Sequence, residues 1–210
     1  KHRGFNQQQA IKTSIEMLER VGIPEPAKRA NAYPHELSGG MRQRVMIAMA
    51  LLCQPKILIA DEPTTALDVT VQAQVLDLFK SLTEDFGTSL VLITHDLGVV
   101  AGVADRMMVM YGGRAVEKGV TDDLFYDPRH PYTLGLLHST PHIAKRAARL
   151  DPIQGLPPSL ENLPKGCAFN PRCAFAFDRC LVERPPLTDA GDGRQKACFY
   201  EGPMAYGEVA

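Results

Sequence analysis

Ile57-Leu58-Ile59-Ala60-Asp61-Glu62-Pro63 decides the fold: four apolar residues, two adjacent carboxylates, then a proline. A short apolar run bounded by turn formers predicts a strand buried on both faces of a parallel sheet. Leu90-Val91-Leu92-Ile93 repeats the pattern, and Met107-Met108-Val109-Met110-Tyr111 supplies a third strand. Residues 69–84 lie between the first two and carry Val71, Val75, Leu78 and Leu82 on one helical face. A shorter helix is expected from Asp96 to Ala104. Strands alternating with helices at these lengths predict an α/β doubly wound sheet. Upstream, one helix spans residues 6–21, with Gly22 as its cap. Another starts near Ser38 and runs through Leu52 until Pro55 forbids continuation. Cys53, at the end of that apolar stretch, reads as a core residue. Downstream, Gly112-Gly113 turns the third strand into an antiparallel edge hairpin.

The wider composition fits this reading. The 210 residues carry 23 Lys and Arg against 24 Asp and Glu, a net charge of −1, with 45% hydrophobic residues. This is a core-forming composition, and its near-zero charge argues against nucleic acid as a partner recognised through bulk basicity. The longest apolar run, Val45 to Cys53, has nine residues, well short of a membrane span. The N-terminus lacks both an apolar signal segment and an initiating Met, which leads us to expect missing upstream sequence. After Gly119, two short helices are expected around Leu124 and from Tyr132 to Leu137. Residues 151–166 read as a Pro- and Gly-rich linker.

Asp61 and Glu62 stand where open α/β sheets bind ligands, at the C-terminal end of a strand. Neighbouring strand side chains point to opposite faces, so one carboxylate can bind the Mg²⁺ of a nucleotide while the other deprotonates a water. A polar turn before Pro63 is the plainer reading. Leu37-Ser38-Gly39-Gly40-Met41-Arg42-Gln43-Arg44 puts a Ser and two glycines at a helix N-terminus, either a phosphate cradle or a simple N-cap. His95 follows the second strand on the same sheet edge and can reach a γ-phosphate or the attacking water.

In type, order and spacing these elements resemble the ATP-binding subunits of ABC transporters. Leu37 to Met41 looks like the signature motif, Ile57 to Asp61 like Walker B, Ala66-Leu67-Asp68 like the D-loop and His95 like the switch histidine. The resemblance implies that Asp61 holds Mg²⁺, Glu62 is the general base and His95 senses the γ-phosphate of ATP. It further implies that Ser38, Gly39, Gly40 and Gln43 clamp nucleotide on a second subunit, identical or paralogous, with Asp68 coupling the two sites. No G-x-x-x-x-G-K-[ST] occurs in the sequence, so the Walker A loop is absent. The chain accordingly resembles the C-terminal part of a longer subunit: a partial P-loop NTPase sheet with a helical-subdomain remnant and a small Cys-rich extension. Residues 1–36 then end the helical subdomain and 37–120 belong to the ATPase core. Residues 121–165 form a helical extension and linker, 166–200 the Cys-rich segment and 201–210 a tail.

Four of the five cysteines, Cys167, Cys173, Cys180 and Cys198, follow C-x5-C-x6-C-x17-C. Their segment is poor in core residues, so a metal or cross-link is the expected staple. Structural zinc favours closer Cys pairs, and an iron–sulfur cluster usually has a different spacing; the residues alone leave both open. Arg129-His130-Pro131-Tyr132-Thr133-Leu134 with Gly166-Cys167 and Asn170-Pro171-Arg172-Cys173 resembles the C-terminal extension of oligopeptide and dipeptide importer ATPases. That likeness implies a [4Fe–4S] cluster on the four cysteines, its charge offset by Arg172, Arg179 and Arg184. It also implies permease subunits in the membrane, an extracytoplasmic peptide-binding protein, and a peripheral position on the cytoplasmic face of the inner membrane. Two alternatives stay open: a non-catalytic metal-binding or regulatory module on a degenerate ABC fold, and an importer subunit for another solute such as glutathione or nickel.

Overall fold

The computed structural model describes residues 4–65, 67–140 and 152–204. The chain divides into two compact units, Lys1–His95 and Asp96–Ala210.

The first unit starts with α1 (Gln7–Arg20), opened by a capping box. Asn6 Oδ1 accepts from Gln9 N at 2.9 Å, and Gln9 Oε1 accepts from Asn6 N at 3.0 Å. After α2 (Pro26–Arg29), Ser38 caps α3 (Gly39–Leu51). That helix ends earlier than Pro55 requires, because the chain turns at Leu52 and Gln54 is left-handed at φ 48°. Cys53 is therefore an exposed turn residue, which corrects its expected place in the core.

Strands β1 (Ile57–Asp61) and β2 (Ser89–Ile93) pair in parallel, Asp61 opposite Ile93, joined by α4 (Val69–Phe86). Leu58 and Ala60 pack into a core with Leu18, Ile47, Leu51, Val75 and Phe79. Ile57 and Ile59 remain 61% and 66% exposed, and Val91 and Ile93 of β2 are exposed as well. Burial on both faces was expected for these strands; here one face is covered and the other open. The period-2 alternation puts Asp61 on the open face with Ile57 and Ile59.

The second unit begins with α5 (Leu97–Val103), β3 (Arg106–Tyr111) and β4 (Arg114–Val120). The β3–β4 turn needs positive φ at Gly112 (55°) and Gly113 (75°), which glycine supplies without steric cost. Helices α6 (Thr121–Tyr126), α7 (Pro131–His138) and α8 (Asp178–Val182) follow, then β5 (Thr188–Gly191) and β6 (Arg194–Lys196). The antiparallel sheet order is β3-β4-β6-β5, with Glu117 opposite Lys196 and Lys118 opposite Gln195. The hairpin expected at a sheet edge thus has β4 inside, because the Cys-bearing tail returns to pair with it. Phe169 from that tail is buried with Val109, Tyr111, Val116 and Leu124. The tail finds its apolar partners in the hairpin, which is how a segment poor in core residues acquires one. Among the described residues, no helix is long and apolar enough to cross a membrane.

Candidate functional site

Where β1 and β2 end, three polar side chains meet. Glu62 Oε1 lies 2.7 Å from His95 Nδ1, and Glu62 Oε2 accepts from Thr65 Oγ1 at 2.8 Å. The parallel ladder produces this meeting, since Glu62 N donates to Ile93 O at 2.9 Å and so brings both strand ends level. Glu62 has φ 47°, a left-handed conformation that costs a non-glycine residue about 1–3 kcal/mol and recurs at functional sites. The His95 hydrogen bond, then that of Thr65, holds the Glu62 carboxyl below the usual carboxylate range. An ionised carboxylate has about four acceptor positions, so two bonds leave room for a water. Thr65 was missed in the sequence; its place three residues after Glu62, within one turn, was the available signal.

Ser38, Gly39 and Gly40 open α3, and Ser38 Oγ accepts from Met41 N at 3.3 Å. A Cβ on Gly40 would sit 3.1 Å from Val71 Cγ1 of α4, whereas one on Gly39 would meet nothing within 4 Å. Gly40 therefore has a packing role, while nothing in the unit requires glycine at 39. Asp68 caps α4, its Oδ1 accepting from Val71 N at 2.9 Å. The two helix starts are thus neighbours through Gly40 and Val71. Gln43 is half-buried on α3. Ala66 of the Ala66-Leu67-Asp68 motif lies outside the described residues.

In the second unit, Cys167, Cys173, Cys180 and Cys198 line one cavity together with His130 and Phe199. Cys167 N donates to Cys180 O at 2.9 Å, and a Cβ on Gly166 would lie only 2.2 Å from that oxygen. Asn170 Nδ2 donates to Cys167 O at 2.7 Å. Tyr200 N donates to Cys198 Sγ at 3.4 Å, and the backbone near Phe169 and Phe175 acts to lower the Cys167 and Cys173 thiols. Desolvation nevertheless raises the Cys167 and Cys198 thiols and pushes Cys173 up to about 12.

This donor set suits a thiolate-bound metal, since N–H groups aimed at sulfur stabilise the deprotonated form. The cavity that they help to line measures about 10 Å³, near the minimum for one water, so it holds no room for a four-iron cubane as it stands. Among the described residues, no three His, Cys, Asp or Glu side chains are gathered at metal-binding distance. The expected [4Fe–4S] cluster therefore finds no preformed cage. Arg172 also departs from expectation: it donates to Gln154 O, Ile153 O and Tyr111 Oη, tying down the linker. Arg179 pairs with Glu183 and lies 3.8 Å over the Phe199 ring, and Arg184 acts on Cys167.

A buried polar network adjoins the cysteines. Glu117 is fully buried; Oε1 accepts from Arg129 N at 2.7 Å and Arg194 Nη2 at 3.3 Å, and Oε2 from His130 N at 3.0 Å. Arg194 also binds Asp127 Oδ2 at 2.9 Å and the Asp127 carbonyl. His130 Nδ1 accepts from Tyr132 N at 3.0 Å, capping α7, and Pro131 takes the first helical position. Burial pushes His130 down to about 3, so the ring is neutral.

A family model described as "ABC transporter" matches residues 4–65, and one described as "Oligopeptide/dipeptide transporter, C-terminal region" matches residues 116–180. The oligopeptide transport ATP-binding protein OppD of Haemophilus influenzae is 54% identical over 198 residues, which is 94% of this chain and 61% of that protein. Over nearly all of its length the chain is thus similar to ATP-binding proteins of ABC transporters. The dipeptide transport ATP-binding protein DppD of Escherichia coli is 51% identical, over 95% of this chain and 61% of its own length. A chain from an inward-facing metal-chelate type ABC transporter superposes with a TM-score of 0.53 at 25% identity, covering 63% of this chain and 49% of the other. The chain spans about three fifths of the length of the curated relatives it matches.

Proposed function

We propose that this chain contributes the water-activating half of an ATPase that energises import of di- or oligopeptides. The Glu62–His95 pair at the end of β1 and β2 carries the reading. Glu62, kept ionised by His95 and Thr65, accepts the proton of the attacking water. His95 fixes the carboxylate and stands beside the γ-phosphate. Asp61, on the adjacent open face, is an oxygen donor suited to Mg²⁺, which offsets phosphate charge. Ser38, Gly39, Gly40 and Gln43 serve nucleotide held by a second ATP-binding subunit, and Asp68 links the two sites. The phosphate-binding loop is supplied from outside these 210 residues.

Peptide as cargo is carried over from the names of the relatives. Permease subunits, a peptide-binding protein and a place on the cytoplasmic membrane face are what the resemblance to importer ATPases implies. The four cysteines hold a thiolate-bound metal centre, read as a [4Fe–4S] cluster. Metal analysis of anaerobically prepared protein should find about four iron and four sulfide per chain. One zinc and no iron would replace that assignment with a single-ion site. For the ATPase, Glu62→Gln in the full-length dimer should retain ATP binding and lower phosphate release about 10²–10⁴-fold. Unchanged release would remove Glu62 from the base role.

A further inference from the structure

We propose that Gly166 is a positioning residue that lets Cys167 and Cys180 stand as a preformed pair, the half of the four-thiol set on which a soft, thiophilic metal ion is first held. The use for a metal rests on reading the cysteines as a metal-binding set; the pairing itself does not. Cys180 belongs to α8, whose five residues leave its carbonyl in the last turn, where helix carbonyls lack a donor from their own helix. Cys167 N supplies that donor at 2.9 Å. Standard bond lengths then keep the two Cα atoms within about 6.8 Å, the outer limit at which two cysteines can be bridged. The crossing has no room for a side chain at the preceding position. Gly166 is buried, and a Cβ there would overlap the Cys180 carbonyl oxygen and sit 2.7 and 2.8 Å from the carbonyl carbon and oxygen of Leu181. These are main-chain atoms, so no rotamer change relieves the overlap. Cys167 is held from its other side as well: its carbonyl accepts from Asn170 N at 3.1 Å and from Asn170 Nδ2 at 2.7 Å.

The other two cysteines are held differently. Cys173 bonds within its own turn, its N–H donating to Asn170 O and its carbonyl accepting from Ala176 N, both at 3.3 Å. Cys198 lies in the tail beyond β6, where Tyr200 N donates to its sulfur at 3.4 Å. All four line one cavity, yet among the described residues no three candidate ligands gather at metal-binding distance, so a pair is the largest unit the fold prepares. Gly166 lacks the positive φ that calls for glycine in a turn, so close approach of the two chain segments is what this position requires.

The test is capture of the pair by phenylarsine oxide in full-length, reduced, chelator-stripped protein. This trivalent arsenical condenses with two neighbouring thiols, forming two As–S bonds and releasing water. Thiols left free are then alkylated with iodoacetamide and read residue by residue by mass spectrometry. One equivalent should protect Cys167 and Cys180 and leave Cys173 and Cys198 open to alkylation. Cys53, exposed in the other unit, serves as the internal standard. Gly166→Ala forces the two segments apart and should weaken capture roughly tenfold or more, the scale on which lost positioning groups weaken metal sites. Protection of a different pair overturns the proposal, and so does wild-type capture in folded Gly166→Ala. If Gly166→Ala fails to fold, Cys180→Ser decides: Cys167 should lose its protection, and retained protection overturns the pairing. Metal content is a separate measurement. Bound metal with capture unchanged in Gly166→Ala overturns the positioning role alone, whereas intact pair capture in a protein that takes up neither iron nor zinc overturns the metal reading alone.

Discussion

Both units of this chain place a carboxylate against a basic partner, and they do so in opposite settings. Glu62 and His95 lie at an exposed strand end, the His95 side chain 81% accessible, on strands whose outer apolar face is open. Glu117 and Arg194 are buried at 1% and 3% side-chain exposure, with two backbone N–H groups also bound to the carboxylate. Solvent competes for the first pair and takes up its charge when one partner is lost, so that pair matters to chemistry more than to folding. No solvent does so for the second pair, and its loss strands a buried charge. Positions of similar chemistry are therefore expected to report on different links: on the proposed chemistry in the first unit, on architecture in the second.

Arg194→Met should give the largest effect. It leaves the buried Glu117 side chain with two donors in place of three and without its cationic partner, a class of change that costs about 3–5 kcal/mol. Chemical denaturation followed at Tyr111 and Tyr132, near the sheet, should show the loss; a midpoint close to wild type would mean that the buried pair stabilises nothing. His95→Ala is the counterpart in the exposed unit. It should leave the denaturation midpoint unmoved while lowering ATP turnover of the full-length protein roughly 10²-fold, the low end for acid–base groups. Without its main hydrogen bond, the depressed Glu62 carboxyl returns upward toward its ordinary range. The proton-accepting form is then lost at a higher pH, so the acidic limb of the rate profile should move up. A limb that stays in place would separate His95 from Glu62 ionisation.

The same contrast explains what could be read before the structure. The strand Ile57–Asp61, the Ser38 cap and the α4 face depend on neighbours in sequence, and all appear as apolar period and turn chemistry. Glu62 and His95 are 33 residues apart, yet both end apolar strands, so a sheet edge brings them together without further information. The Glu117–Arg194 pair spans 77 residues and rests on β6, Arg194-Gln195-Lys196, which has no apolar residue to mark it as a strand. Its partner Glu117 reads as an ordinary surface acid within Arg114-Ala115-Val116-Glu117-Lys118. The edge position of the hairpin was misread, and the pairing of the Cys tail with it missed, for this one reason: pairing of polar strands leaves no periodic trace. Cys53 was misplaced for a local reason, since a left-handed Gln54 ends the helix before the proline does.

The smallest expected effect lies at Asp68 and resolves a position where both readings meet. Its Oδ1 caps α4 through Val71 N, and loss of such a cap in Asp68→Ala should cost about 1 kcal/mol. A turnover defect in that variant alone would not separate capping from coupling between two nucleotide sites. Asp68→Asn does, because asparagine caps as well as aspartate but has no charge. If the side chain serves only the helix, Asp68→Asn restores both the melting midpoint and ATP turnover. If its charge acts across the subunit boundary, the midpoint returns while turnover stays low. Gly39→Ala gives the matching control on α3, since its added methyl meets no atom of the unit within 4 Å. Loss of nucleotide-dependent activity in a Gly39→Ala protein of undiminished stability would then report contact with a ligand and not with this fold.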